Sequence, residues 1–238
     1  MVKGKSDTMY RLLLVLLVLP FSLSAQLLER SVGLELAPHY ASSRITGGGN
    51  ATFTQLANLD SLESGAYGYG VGIVYENRVE RIGYTTGLRY TRSGLERLRQ
   101  PVTGTDREFT ESVTAQYLGI PFDLNFYQDV TPNDRVFFTL GAGLEYHLGT
   151  RTRRTVFRGE EELERVTLTD DDAEFRNLVL SFGTAIGYDR KLSSDYALRF
   201  QPYFRFFLNG NLRETQDLLA NRNYYQVGLR LVIRRLFI

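Results

Sequence analysis

Two histidines, His39 and His147, are the side chains of this 238-residue chain best suited to moving a proton near neutral pH. Glu145 stands two residues before His147, and Ser42 and Ser43 follow His39, so the pieces of an acid–base pair and of an activated hydroxyl are present. Cysteine is absent, which removes thiol nucleophiles, disulfides, thiolate metal sites and lipoprotein acylation. With two histidines and no thiol, little material remains for a metal centre, and no cofactor is expected. A net charge of +1 gives no reason to expect nucleic acid as a partner. A further set of ionisable residues sits inside otherwise uncharged runs: Glu35, Glu76, Arg89, Asp123, Glu145, His147, Asp189, Arg199, Arg205 and Arg230. What any of these can do depends on the elements that carry them.

Those elements alternate with a period of two. Reading every second residue in 34–40, 67–75, 82–90, 118–126, 136–148, 178–188, 198–208 and 225–233 gives 43 positions, filled by Leu, Ile, Val, Phe, Tyr, Ala and Pro, with Thr86 and Thr184 as exceptions. Charged residues make up 23% of the chain, so 43 arbitrary positions would hold about ten charges. These hold none. The opposite parity carries Gly, Arg, Glu, Asp, Gln and Asn. A strand that is dry on one side and polar on the other fits a membrane β-barrel, apolar towards lipid and polar inside.

The spans drawn on this pattern are 31–42, 66–76, 81–92, 114–126, 135–148, 177–189, 196–208 and 223–235. Their connections alternate: 43–65, 93–113, 149–176 and 209–222 are long, polar and mixed in charge, whereas 77–80, 127–134 and 190–195 are short. Long external loops and short periplasmic turns predict an all-β, eight-stranded antiparallel up-and-down transmembrane barrel with both mature termini in the periplasm. Each span is long enough for the roughly nine to eleven residues that a tilted strand needs to cross hydrocarbon. Outward Tyr67, Tyr75, Tyr90, Tyr146 and Tyr188 near strand ends suit interfacial girdles. At the N-terminus Lys3, Lys5 and Arg11 precede the apolar run Leu12–Leu19, and small residues follow up to Ala25. Residues 1–25 therefore read as a cleaved signal peptide and 26–238 as the barrel domain.

Inward parity holds a dozen glycines, among them Gly87, Gly119, Gly141, Gly143 and Gly228. Glycine weakens a strand, so its use here implies a need for space in a narrow lumen. The inward arginines and acids need one another, because an unpaired charge in a closed interior is costly. Counting from the turns puts Glu76, Asp123, Asp189, Arg199 and Arg234 in a periplasmic layer, Glu35 and Arg230 near the middle, and Arg89, Glu145, His147 and Arg205 towards the outside. The expectation is a cross-lumen salt-bridge network that plugs the barrel and acts structurally.

This frame decides between functions. His39 and His147 fall on the first and fifth strands, opposite each other in the ring, so catalysis is not expected and both belong to the lumen. A soluble lipocalin-like barrel would have to pack all 43 apolar side chains into an interior built for far fewer. A narrow porin-like channel requires a gap through the charge layers. The loop 149–176, with Arg151, Arg153, Arg154 and Arg158 followed by Glu160–Glu162 and Asp170–Asp172, offers an external recognition surface. The expected partners are outer-membrane lipid and lipopolysaccharide, the outer-membrane insertion machinery, and a protein partner at the external loops.

Three segments carry resemblances. Gln226-Val227-Gly228-Leu229-Arg230-Leu231-Val232-Ile233 resembles the insertion signal on the last strand of outer-membrane barrels, with Phe237 as a penultimate aromatic. Tyr117-Leu118-Gly119-Ile120-Pro121-Phe122-Asp123-Leu124 resembles the "YLxIPxxL" strand of the PorT-like outer membrane β-barrel family of Gram-negative bacteria. Gly87-Leu88-Arg89-Tyr90-Thr91-Arg92-Ser93-Gly94 resembles the "GLxYxxxG" strand end that precedes it, and Ser24–Gln26 the "SAQ" signal-peptide end. The resemblance implies an outer-membrane barrel, no catalytic residues, and a link to protein secretion and maturation across the envelope.

Overall fold

The computed structural model describes residues 28–47, 52–169, 175–210, 212 and 220–237. The expected signal peptide lies outside them. Among the described residues nine strands and one helix follow in order: β1 (Leu28–Gly47), α1 (Phe53–Ser61), β2 (Glu63–Val79), β3 (Ile82–Pro101), β4 (Glu108–Asp129), β5 (Asp134–Arg158), β6 (Glu161–Thr169), β7 (Leu178–Lys191), β8 (Tyr196–Phe207) and β9 (Ala220–Phe237). All pairings are antiparallel, in the order β4-β3-β2-β1-β9-β8-β7-β5-β6, and β4 also pairs with β5. That second pairing closes eight strands into a ring. The ninth, β6, pairs only with the outer half of β5, along Arg151–Arg158.

Closure requires stagger. Paired residues lead from Glu76 through Thr85, Asp123, Gly141, Gly183, Arg205, Gln226 and Ala41 back to β2 at Ala66, ten residues from the start. Hydrogen-bonded neighbours therefore climb steadily relative to the barrel axis, as strand tilt demands.

Burial is inverted relative to a soluble domain. Leu34, Ile73 and Ile186 are 63%, 57% and 67% exposed, while Gln201 and Gln226 are fully buried. Alternation of exposed apolar and buried polar residues runs through every spanning strand. Among the described residues no helix is long and apolar enough to cross a membrane.

The strands are longer than the apolar pattern alone predicts. Residues 93–113, expected as a loop, are the outer arms of β3 and β4, meeting at a turn where Gly104 takes φ +78°. Much of 149–176 is likewise the β5–β6 hairpin, turning at Gly159 with φ +58°. Thr and Val on these arms are good strand formers, and neighbouring arms satisfy their backbone groups; the arms escape the hydropathy pattern because their outward face is polar. Within the expected loop 43–65, α1 is fixed by a capping box: the Gln55 N–H donates to Thr52 Oγ1 (3.3 Å) and the Thr52 N–H donates to Gln55 Oε1 (2.9 Å). At the opposite end the turns are tight, at Glu80–Arg81, 130–133 and 192–195.

Candidate functional site in the lumen and external cup

Alternation sends buried guanidiniums and carboxylates of the spanning strands into the lumen, among them Arg89, Arg199, Arg205, Arg230 and Arg234 with Glu35, Glu76, Asp123, Glu145 and Asp189. Towards the tight turns, Glu76 accepts from Arg234 Nη1 (2.7 Å), Tyr127 Oη (2.8 Å) and Thr85 Oγ1 (3.0 Å), with Arg199 Nη2 at 2.7 Å. Asp189 accepts from Arg234 and, at 3.3 Å, from Arg199. The Phe137 ring lies 4.4 Å from the Arg199 guanidinium carbon. Higher up, Arg89 forks onto Glu35, while Arg230 donates to Asp123 Oδ2 (2.6 Å) and lies 3.5 Å from Glu35. Glu145 takes Arg205 at 3.5 Å and Ser181 Oγ at 3.2 Å.

Neutral side chains join these groups. Asn125 donates to Thr85 (2.8 Å), Thr139 to Asn125 (2.7 Å), Gln201 to Thr139 (2.8 Å), and Arg230 to Gln201 (3.2 Å). A continuous polar chain thus runs from Glu76 to Asp123. Two heights differ from a count along the strands: Asp123 pairs with mid-lumen Arg230, and Arg89 reaches down to mid-lumen Glu35. The stagger of the ring and the length of arginine explain both, since equal counts from a turn are not equal heights in a tilted barrel.

Close packing explains particular glycines. A Cβ at Gly119 would meet the Glu145 carboxylate, and one at Gly87 would meet the Ile73 carbonyl and the Val74 backbone. The lumen void bordered by Arg89, Asp123, Glu145 and Arg230 holds about 20 Å³, close to the least that admits one water.

Above the charges lies an aromatic layer of Leu95, Ala115, Tyr117, Val179, Phe207 and Tyr224. Tyr117 and Phe207 rings are 5.5 Å apart, and His147 stacks on Phe175 at 4.9 Å. The structure does not bring the histidines together. His147 Nε2 contacts Thr150 Oγ1 (2.8 Å) on β5, whereas His39 Nδ1 contacts the Ala37 carbonyl (3.1 Å) on β1. Glu145 is occupied by Arg205 and Ser181, and Ser43 donates to Glu63 (3.1 Å). Among the described residues no three His, Cys, Asp or Glu side chains converge as metal ligands.

Over the aromatic layer opens a cup of about 290 Å³, floored by Leu95 and Tyr224 and walled by Arg97, Glu111, Arg154 and Arg222. Arg222 forks onto Glu63 (2.5 Å), Arg97 pairs with Glu111, and Arg154 donates to Glu111 (2.6 Å). Burial pushes the Glu111 carboxyl up, but the Arg154 hydrogen bond and the Arg97 charge outweigh it and hold it below the ordinary carboxylate range. The sequence pattern placed Arg154 in a loop and missed Glu63, Arg97, Glu111 and Arg222; extending the period-two parity past the apolar band would have found them. Asp170–Asp172 lie outside the described residues.

Comparison with known proteins gives a family. The family described as "Outer membrane protein beta-barrel domain" matches residues 24–212. No curated protein matches the chain. Among solved structures, Neisserial surface protein A is 15% identical at TM-score 0.42, covering 87% of this chain and 97% of that one. The outer membrane protein OprG of Pseudomonas aeruginosa is 9% identical at TM-score 0.42, covering 88% and 95%. The attachment invasion locus protein Ail of Yersinia pestis, solved with a heparin analogue, is 13% identical at TM-score 0.30, covering 86% and 98%.

Proposed function

The chain belongs to the outer membrane protein β-barrel domain family, and from that premise we propose that it is a structural and binding protein of the Gram-negative envelope rather than an open pore or an enzyme. The contrast between lumen and cup carries this reading: the void among Arg89, Asp123, Glu145 and Arg230 holds about 20 Å³, against about 290 Å³ above the aromatic layer. Balanced charge, hydrogen-bonded end to end, makes a rigid plug; the cup and the arms around it form the recognition surface.

The tight turns and both mature termini face the periplasm in this reading, and the arms of β3 to β6 stand outside the cell. Membrane lipid contacts the apolar flank, β9 is what the insertion machinery reads, and a protein partner engages the arms. The PorT-like strands at Gly87–Gly94 and Tyr117–Leu124 form the β3–β4 pair and support an association with secretion across the envelope. The separation of His39 from His147 supports a non-catalytic assignment.

Planar-bilayer recording on purified full-length protein tests the plug. Insertion without steady single-channel current is expected. Steady, sizeable currents would replace the plug with a narrow channel.

A further inference from the structure

The outward wall changes character where its apolar band stops. On β2 and β3 the outward rings Tyr69 and Tyr90 lie near the top of that band, with centroids 6.4 Å apart. One step further, β3 presents Arg92 and β5 presents Arg151 and Arg153, all three exposed. Strand register gathers them: Arg92 is paired with Gln116, Arg151 with Thr114, and Arg153 with both Ser112 and Thr167. With the two tyrosines they line a groove of about 260 Å³, the volume of roughly nine waters.

This groove is polar and unmatched. Arg97 and Arg154, on the inward parity of the same strands, share Glu111. Among the described residues the outward Arg92, Arg151 and Arg153 have no carboxylate partner, and the side chains of Ser112, Thr114, Gln116 and Thr167 have no hydrogen-bond partner. Glu96 faces the same wall beside Ser112, which still leaves a surplus of positive charge. Guanidinium forks match phosphate oxygens, and a row of hydroxyl and amide groups beside them matches sugar hydroxyls. The height matters as well. Tyrosine rings mark the interface between hydrocarbon and headgroups, and this groove begins at two of them and opens sideways towards lipid.

We propose that this groove binds the phosphorylated headgroup of an outer-leaflet glycolipid, with Arg92, Arg151 and Arg153 on phosphate and Ser112, Thr114, Gln116 and Thr167 on sugar. The proposal deepens the outer-membrane reading and rests on its orientation. A soluble anion would satisfy the arginines alone and would gain nothing from the tyrosines below.

Native mass spectrometry of the full-length protein, released from detergent and titrated with a diphosphorylated glucosamine-disaccharide lipid, tests it. Preferential retention of this lipid over its dephosphorylated form is expected. Each arginine replaced by glutamine should weaken retention about fivefold, and the Arg92→Gln, Arg151→Gln, Arg153→Gln triple variant on the order of a hundredfold. Heat-shifted migration on SDS gels shows that the variants are folded, and Arg153→Gln alone serves if the triple variant is not. Equal retention of both lipids, unchanged retention by the folded variants, or displacement by inorganic phosphate as readily as by lipid would overturn the proposal. The chain has no cysteine, so single cysteines report orientation separately. With Asp106→Cys an impermeant maleimide should label intact cells, and with Ser194→Cys it should not. The reverse pattern would overturn the outer-leaflet assignment even if the purified protein still held the lipid.

Discussion

The Glu76 carboxylate is held by two guanidiniums and two hydroxyls in a space closed to solvent. Its burial is tolerable only with all four in place, because removing one partner of a buried pair leaves an uncompensated charge. Glu76→Gln should therefore lower the stability of the folded barrel by about 3–5 kcal/mol in urea unfolding from micelles. Glu80→Gln, at an exposed turn, should change it by no more than about 0.5 kcal/mol. Equal tolerance of the two would mean that the network contributes nothing. Which residues face inward was legible in the sequence, because parity alone decides it. Which of them meet was not: Arg89 finds Glu35 and Arg230 finds Asp123 through a stagger that no single strand encodes.

The membrane-spanning and external parts of one strand obey different rules. Within the spans, lipid demands an apolar outward face, and that demand made them readable. Beyond Tyr90 or Leu148 the outward face turns polar, so Arg92, Thr114 and Arg153 look like loop residues although the ladder continues. Ion pairs help hold these arms. The carboxyl of Glu111 titrates below its ordinary value, so the stability it lends is complete above the unfolded value of about 4.3 and is lost as pH falls through the lower folded value. Amide-exchange protection across 108–116 and 149–158 should therefore hold steady from pH 7 to about 5 and fall only below the ordinary carboxylate range, with Glu111→Gln already loosened at pH 7. Loosening of the unsubstituted protein near pH 6 would assign the arms to some other group.

At the scale of the whole molecule, one inversion accounts for the rest: apolar outside, polar inside, with closure removing every free edge from the spanning region. Only a solvent that cannot hydrogen-bond makes that arrangement favourable. The same inversion leaves the lumen to charge pairs and the arms and the cup to water. The most direct test is a nitroxide scan along 178–188 of β7 in lipid vesicles, using single cysteines. Labels at Leu180, Phe182, Thr184 and Ile186 should relax with oxygen, which dissolves in hydrocarbon, and not with a water-soluble nickel chelate; Ser181, Gly183 and Ala185 between them should respond weakly to both. Ready access of the nickel chelate to Leu180, Phe182 and Ile186 would contradict the account, because that face would then be wetted by water.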